Sequence, residues 1–239
     1  MSELVIREVA KDLWTFSVPF TVFGLIAAGG RSIAIRHSSG GVWVLASTPL
    51  CEDQKAKIAE IGEVRWIVAG GELHHLYLKE WKAAYPSATL VGLKELVEKK
   101  GQEGVKFDAV FESEEYPKLG YEDEILACYF SGAEKKEIVW CHTPTKTAIV
   151  ADMLFNLPAN EQYSKSKQSA KLFLLGALNP TTMMHRLYVG KNTPNPEVMK
   201  KHVKIVDSWD FTRVIPLHGD VFEGNGKEMW RLAFQKLLQ

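Results

Sequence analysis

The chain has 239 residues, 46% of them hydrophobic, with 29 Lys and Arg against 29 Asp and Glu. That is enough apolar material for a sizeable core. A formal net charge of zero leaves no basic excess to neutralise phosphates, so nucleic acid is not an expected partner. No apolar run reaches the roughly 18 residues of a membrane span, and Met1 to Arg7 has neither the basic nor the apolar part of a signal peptide. Cys51, Cys128 and Cys141 are odd in number and show no C-x-x-C spacing. They read as free thiols of a reduced, cytoplasmic protein.

In chain order, Val5 to Val9, Leu13 to Val18, Ser32 to Arg36 and Gly41 to Ala46 read as short strands of a meander. His37, in the small-residue turn before Gly40, reads as a solvated turn residue. Glu52 to Ile61 places Ala56, Ile58, Ala59 and Ile61 on a charged background, the pattern of an amphipathic helix, and Gly62 closes it. Val64 to Val68 is an apolar run ending in Gly70-Gly71, followed by Glu72-Leu73-His74-His75 and a helix over Leu76 to Ala84. Thr89 to Gly92 is a strand and Leu93 to Lys100 a helix. Ile125 to Phe130, Glu137 to His142 and Thr147 to Asp152 form a second meander. Gln168 to Leu178 reads as helical. Asn195 as N-cap and Pro196 at the first position open a helix running to about Trp209, with His202 on its surface. Phe211 to Leu217 is a last strand, and residues 226–239 a closing helix.

Three strand ends therefore carry metal-competent side chains: His74 with His75, Asp152, and His218. Imidazoles and a carboxylate are the usual ligands of zinc, manganese or iron. Strand ends on one edge of a fold converge even when far apart in sequence. Glu72 reads as a ligand, a general base or a partner orienting a histidine. Asp220 reads as orienting His218. His142 reads as structural, and Tyr77, Trp81 and His185 as core or pocket wall.

The order of these motifs resembles the metallo-β-lactamase fold superfamily, and more closely a divergent branch with a His-His pair in place of the full motif. The residues that carry the likeness are Val42-Trp43-Val44, Gly62 to Val68, His74-His75, Tyr85-Pro86-Ser87-Ala88, Thr147 to Asp152 with Met153-Leu154-Phe155-Asn156 after it, and His218-Gly219-Asp220. The resemblance implies a layered α/β fold, an αββα sandwich of two mixed β-sheets with helices outside. It implies one domain over residues 1–239, with 156–195 as a lid or insertion near the site.

Laid on the superfamily's H-x-H-x-D-H signature with the last histidine on His75, the other positions read Gly70, Glu72 and His74. A further family histidine precedes the bridging aspartate, and Cys128 to Gly132 has none. The ligands of one of the family's two metals are therefore gone apart from Glu72. The other metal's positions read His74, His75, Asp152 and His218. The resemblance thus implies one divalent ion, zinc first, with iron or manganese as alternatives. Four such ligands would close a tetrahedral zinc completely, as structural sites do.

The expected function is a metal-dependent hydrolase of a small-molecule ester, lactone, thioester or amide, with Glu72 as proton shuttle. The alternatives are a lyase, isomerase or redox enzyme, and a non-catalytic binding module on the same fold.

Overall fold

The computed structural model describes residues 3–113, 116, 118–171 and 177–239. A first sheet is built from β1 (Val5–Ala10), β2 (Leu13–Val18), β5 (Gly30–Arg36), β6 (Gly41–Leu45), β7 (Glu63–Val68), β8 (Thr89–Leu93) and β9 (Ala109–Phe111), in that spatial order. Its first four strands pair antiparallel and its last four parallel, with β6 shared between the two kinds. The parallel crossovers are helical, as parallel pairs require: α1 (Glu52–Ile61) joins β6 to β7, and α2 (Leu78–Ala84) joins β7 to β8. α3 (Lys94–Gln102) follows β8. A two-residue-per-strand hairpin, β3 (Thr21–Val22) with β4 (Ile26–Ala27), stands between β2 and β5. Residues 19–31 carry no alternating run, so the sequence reading did not find it.

The second sheet is β10 (Ile125–Tyr129), β11 (Ile138–His142), β12 (Thr147–Val150) and β13 (Arg213–Pro216). Its first two pairings are antiparallel, and β12 with β13 is parallel. Between β12 and β13 come α4 (Asn160–Tyr163), α5 (Met183–Lys191) and α6 (Pro196–Ser208). The chain ends in α7 (Gly226–Ala233) and α8 (Gln235–Leu238).

Strand alternation sorts the side chains into layers. On β11, Ile138 and Trp140 enter the core between the sheets, while Val139 and Cys141 enter the one behind. All five residues of β11 are buried, because both faces of the strand are covered. Trp140 meets Trp43 of β6 edge-on, with ring centroids 5.2 Å apart, which locks sheet to sheet. Such a pair adds about 1 kcal/mol beyond its buried area. Behind the second sheet, α6 contributes Met199, Val203 and Val206, and α7 contributes Trp230. Asn195 caps α6 by accepting from the Val198 N–H, and Pro196 opens it, as read from the sequence. The architecture is the αββα sandwich.

Three local expectations change. His202 is fully buried in α6 against the Phe130 ring, not on the helix surface. His37 is buried rather than solvated. Residues 168–171 and 177–178 are not helical; residues 172–176 of that expected helix lie outside the described residues. No described helix is long and apolar enough to cross a membrane.

Candidate metal centre

Both sheets deliver the carboxyl ends of parallel strands to one edge of the sandwich, the place where open α/β sheets put their sites. β6 ends just before Ser47, and β7 runs into the loop that holds His74. β12 leads to Asp152, and β13 to His218.

After β7 the chain bridges to the other sheet. Gly71 pairs with Glu137, and Glu72 N–H donates to the Lys136 carbonyl at 2.7 Å. A Cβ at Gly71 would sit 2.8 Å from that of Glu137, so only glycine allows this approach. The turn closes with His74 N–H on the Gly71 carbonyl at 3.0 Å, which sends the His74 ring across to the second sheet.

There the His74 Nε2 lies 3.2 Å from one Asp152 carboxylate oxygen, and the His218 Nε2 lies 3.5 Å from the other. The two rings are 5.2 Å apart, and one ligand atom from each of the three residues falls within a 4.8 Å set. All three residues are buried.

The surrounding hydrogen bonds fit these groups to a cation. His218 Nδ1 is 2.6 Å from the Gly29 carbonyl, which can only accept. Nδ1 therefore carries the ring proton, and the Nε2 lone pair faces the carboxylate. His74 Nδ1 is held by the Ser47 hydroxyl at 2.8 Å, leaving its Nε2 as the inward atom. Metal-binding imidazoles are anchored in this way through the opposite nitrogen. Burial lowers the His218 pKa, with the His74 and Arg31 charges adding and Asp152 opposing. Burial pushes the Asp152 carboxyl up, but His74 and His218 together outweigh it and hold it below its ordinary value. An ionised carboxylate beside a neutral imidazole is the donor state a divalent ion needs.

Beneath Asp152 sits a second carboxyl that sequence reading passed over. Glu137 is buried, and accepts from the backbone N–H of Ala151 at 3.1 Å and of Asp152 at 2.7 Å. Burial, then the Asp152 charge, raises its pKa well above the ordinary carboxyl range.

On the other side, Arg31 ties the His218 loop to the first sheet. Its fully buried guanidinium donates to the carbonyls of Pro216 and Gly219, to Ser17 and to Glu161. Gly219, at φ +97°, has the Asn156 carbonyl 2.2 Å from where a Cβ would stand. In the sequence Glu137 was the first residue of the strand to His142, with no sign of a role at the site. Ser47, by contrast, follows a buried strand and was open to the same strand-end argument that found His74.

Other expected site residues do not join this group, although His75 lines the same cavity. His75 is not in the three-residue group: its Nε2 accepts from Lys99 Nζ at 2.8 Å, on α3. Adjacent side chains on a turn diverge, and His75 diverges towards α3. Glu72 is held by Lys135 Nζ at 3.4 Å and by Lys136 N–H at 3.3 Å, and does not line the cavity described below. Glu72, the expected proton shuttle, thus lies outside the cavity wall. Asp220 does not touch the His218 ring; it accepts from Glu161 N–H and Asn160 Nδ2, both at 2.8 Å, and so holds the start of α4. The Gly29 carbonyl does the orienting instead.

Tyr77 lines the cavity, whereas Trp81 is fully buried and donates to the Thr48 carbonyl. His185 is fully buried against Phe155. Segment 156–195 supplies Leu157, Leu178 and Tyr188 to the cavity wall.

That cavity measures about 650 Å³ and contains His74, Asp152 and His218 in its lining. Most of the wall is apolar, with Val18, Phe20, Ile26, Leu76, Phe155 and Tyr188 prominent, and among the described residues no Lys or Arg lines it.

Solved structures share this arrangement of elements over nearly their whole length. One is described as TMB-1, at TM-score 0.64 and 14% identity, covering 100% of both chains. Another is the DIM-1 metallo-β-lactamase exposed to ceftazidime, at TM-score 0.65 and 13% identity, covering 99% of this chain and 97% of that one. A third is the metallo-β-lactamase FIM-1 from Pseudomonas aeruginosa in its mono-zinc form, at TM-score 0.61 and 11% identity, with 99% and 97% covered. No protein-family model and no curated protein sequence matches the chain. The chain thus has the metallo-β-lactamase fold, and within it a group of metal-competent residues at the strand ends.

Proposed function

We propose that the protein is a metal-dependent hydrolase of apolar carbonyl compounds (esters, lactones or thioesters), working at a single divalent ion held by His74, Asp152 and His218. Zinc is the first candidate, with iron or manganese as alternatives. The observation that carries the reading is the convergence of these three side chains inside an apolar cavity. Because His75 is turned to Lys99, three protein ligands remain rather than four. Three ligands with an open position are the pattern of catalytic zinc, whereas four close a structural site.

A divalent ion there supplies Lewis acidity, polarising a carbonyl and lowering the pKa of water towards ~7. The protein's own part is to hold the donors and choose the substrate. Gly29 and Ser47 fix the two rings, and Glu137 fixes the Asp152 backbone. The apolar wall favours an apolar substrate body and disfavours an anionic one, since a buried negative charge there would find no cationic partner among the described residues. Leu73 and Leu76 line the cavity while remaining half exposed, so the apolar surface runs out to its mouth. Segment 156–195, through Leu157, Leu178 and Tyr188, is the part of the wall expected to set specificity.

The test combines metal analysis with a series of aryl esters of increasing acyl length. One ion at the cavity end, turnover that rises with chain length, and loss of that ion and of turnover in His218→Ala are expected. A zinc, iron or manganese stoichiometry that His218→Ala leaves unchanged would remove the reading.

A further inference from the structure

At the opposite end of the sandwich a second set of donors comes together that the strand-end argument does not reach. His37 follows β5, whose first residues lie beside the His218 loop. Seven residues of strand at ~3.3 Å each put His37 roughly 20 Å from that loop. His142 ends β11, which Glu137 immediately precedes. Asp123 and Glu124 precede β10.

His37 Nε2 is 3.0 Å from Asp123 Oδ1 and 3.9 Å from Glu124 Oε1. The other Glu124 oxygen is 3.9 Å from His142 Nε2. Both imidazoles are buried, and His37, Asp123 and Glu124 each offer an atom within a 4.8 Å set. Asp123 faces solvent, which gives an entry path.

We propose that His37, Asp123, Glu124 and His142 form a second divalent-metal site, zinc-like in chemistry and structural in role, that clamps the β5–β6 turn of one sheet to β10 and β11 of the other. The hydrogen bonds settle one tautomer. Thr147 gives its hydroxyl proton to the Thr145 carbonyl, so Thr145 gives its own to Thr147 Oγ1 at 3.1 Å. The Thr145 oxygen is then an acceptor for His142 Nδ1–H at 2.8 Å. His142 Nε2 is left with a lone pair facing a carboxylate at 3.9 Å, too far for a hydrogen bond.

A lone pair opposed to a carboxylate across that gap is a place for a cation. The His37, Asp123 and Glu124 donors stand near the ~3.3 Å that separates ligands around zinc at ~2.0–2.1 Å, and His142, 3.9 Å from the other Glu124 oxygen, would complete the set by closing on the ion. Glu124 is pre-positioned by the Ser38 N–H, which reaches both its oxygens at 3.2 and 3.3 Å.

In the ion-free arrangement Ser39 N–H donates to His37 Nδ1 at 3.1 Å, so Nε2–H donates to Asp123. Binding replaces that Nε2 proton with the metal and moves the ring proton to Nδ1. There the Ser39 hydroxyl, 2.8 Å away, accepts it, and the Ser39 N–H gives up its bond to Nδ1. Unlike the cavity site, this one would use four protein ligands and leave no open position, the pattern of structural zinc.

The test is independent of the proposed hydrolase. Full-length protein carrying Asp152→Ala and His218→Ala is titrated with cobalt(II) as the probe and followed by visible absorption and melting temperature. One equivalent with the intense bands of tetrahedral cobalt, and a zinc-dependent rise in melting temperature, are expected. Adding His142→Gln or Asp123→Asn should weaken binding by about tenfold or more and abolish the rise. No uptake by the parent variant, or uptake unchanged by both substitutions, overturns the proposal. If His142→Gln does not fold, the exposed Asp123→Asn decides alone.

Discussion

One end of the sandwich gathers His74, Asp152 and His218 inside an apolar cavity; the other gathers His37, Asp123, Glu124 and His142 beneath a turn. The donor chemistry is nearly the same, imidazole and carboxylate, but the setting differs. The cavity end has three converging donors and space beside them, which suits an ion that must also meet a substrate. The turn end has four donors supplied by both sheets, which suits an ion that only holds them together. What separates the two is what lies next to the donors, more than the donors themselves.

The sharpest way to break this comparison is to remove the carboxylate at the cavity end. Asp152→Ala should abolish metal binding there and all turnover, while the turn end keeps its ion; a stoichiometry falling from two to one by elemental analysis checks it. A variant that loses both ions would show that the ends are not independent.

Acid should then loosen the cavity end. Burial lowers the His185 pKa from 6.5 to about 4. In the unfolded chain this ring takes up a proton near pH 6.5, whereas the folded one resists until about pH 4. The unfolded state therefore binds more protons in that window, and stability falls as pH drops through it. The full difference is about 3 kcal/mol. Chemical denaturation at pH 7 and pH 4.5 measures it, and His185→Gln should flatten this part of the profile.

A smaller effect is expected from the carboxyl beneath Asp152. Glu137→Gln keeps the shape but replaces one acceptor of the Ala151 and Asp152 N–H pair with a donor. A loss of about 10–100-fold in metal affinity at the cavity end is expected, with no change at the turn end. Equilibrium dialysis against zinc reads both.

The smallest effect separates two neighbours in sequence. His75→Ala should leave metal affinity within about threefold of the parent, well below the loss expected for a ligand, because its ring is bonded to Lys99 and not to Asp152. A loss of the ion in His75→Ala would restore it as a ligand and return the cavity site to four donors.

The legible part of the fold is the part governed by local pattern. Apolar runs bounded by turn residues, Gly62 and Gly70 for β7 and Pro144 for β12, gave both strands. The charged-apolar repeat gave α1, and Asn195-Pro196 gave the start of α6. The strand-end argument reached His74, Asp152 and His218 for the same reason, since a strand's carboxyl end is visible in sequence. The β3–β4 hairpin was not legible because two-residue strands have no period to detect. The helix expected from Gln168 was not formed in the described residues on either side of 172–176.

By itself the sequence determined most of the strands and helices and a short list of metal-competent residues at strand ends; the layer order came from the family resemblance, and the parallel pairing of β12 with β13 only from the structure. Tertiary structure decided which of those residues meet. It chose His74 over His75, because the turn closed by Gly71 sends one ring across to Asp152 and its neighbour towards α3. It took Glu72 and Asp220 out of the site by giving them backbone partners, and brought in Glu137, Ser47 and Gly29, whose roles depend on contacts across the sandwich. Side-chain direction at a turn, and the hydrogen-bond partner across a core, are set by packing between distant segments, and no local pattern encodes them.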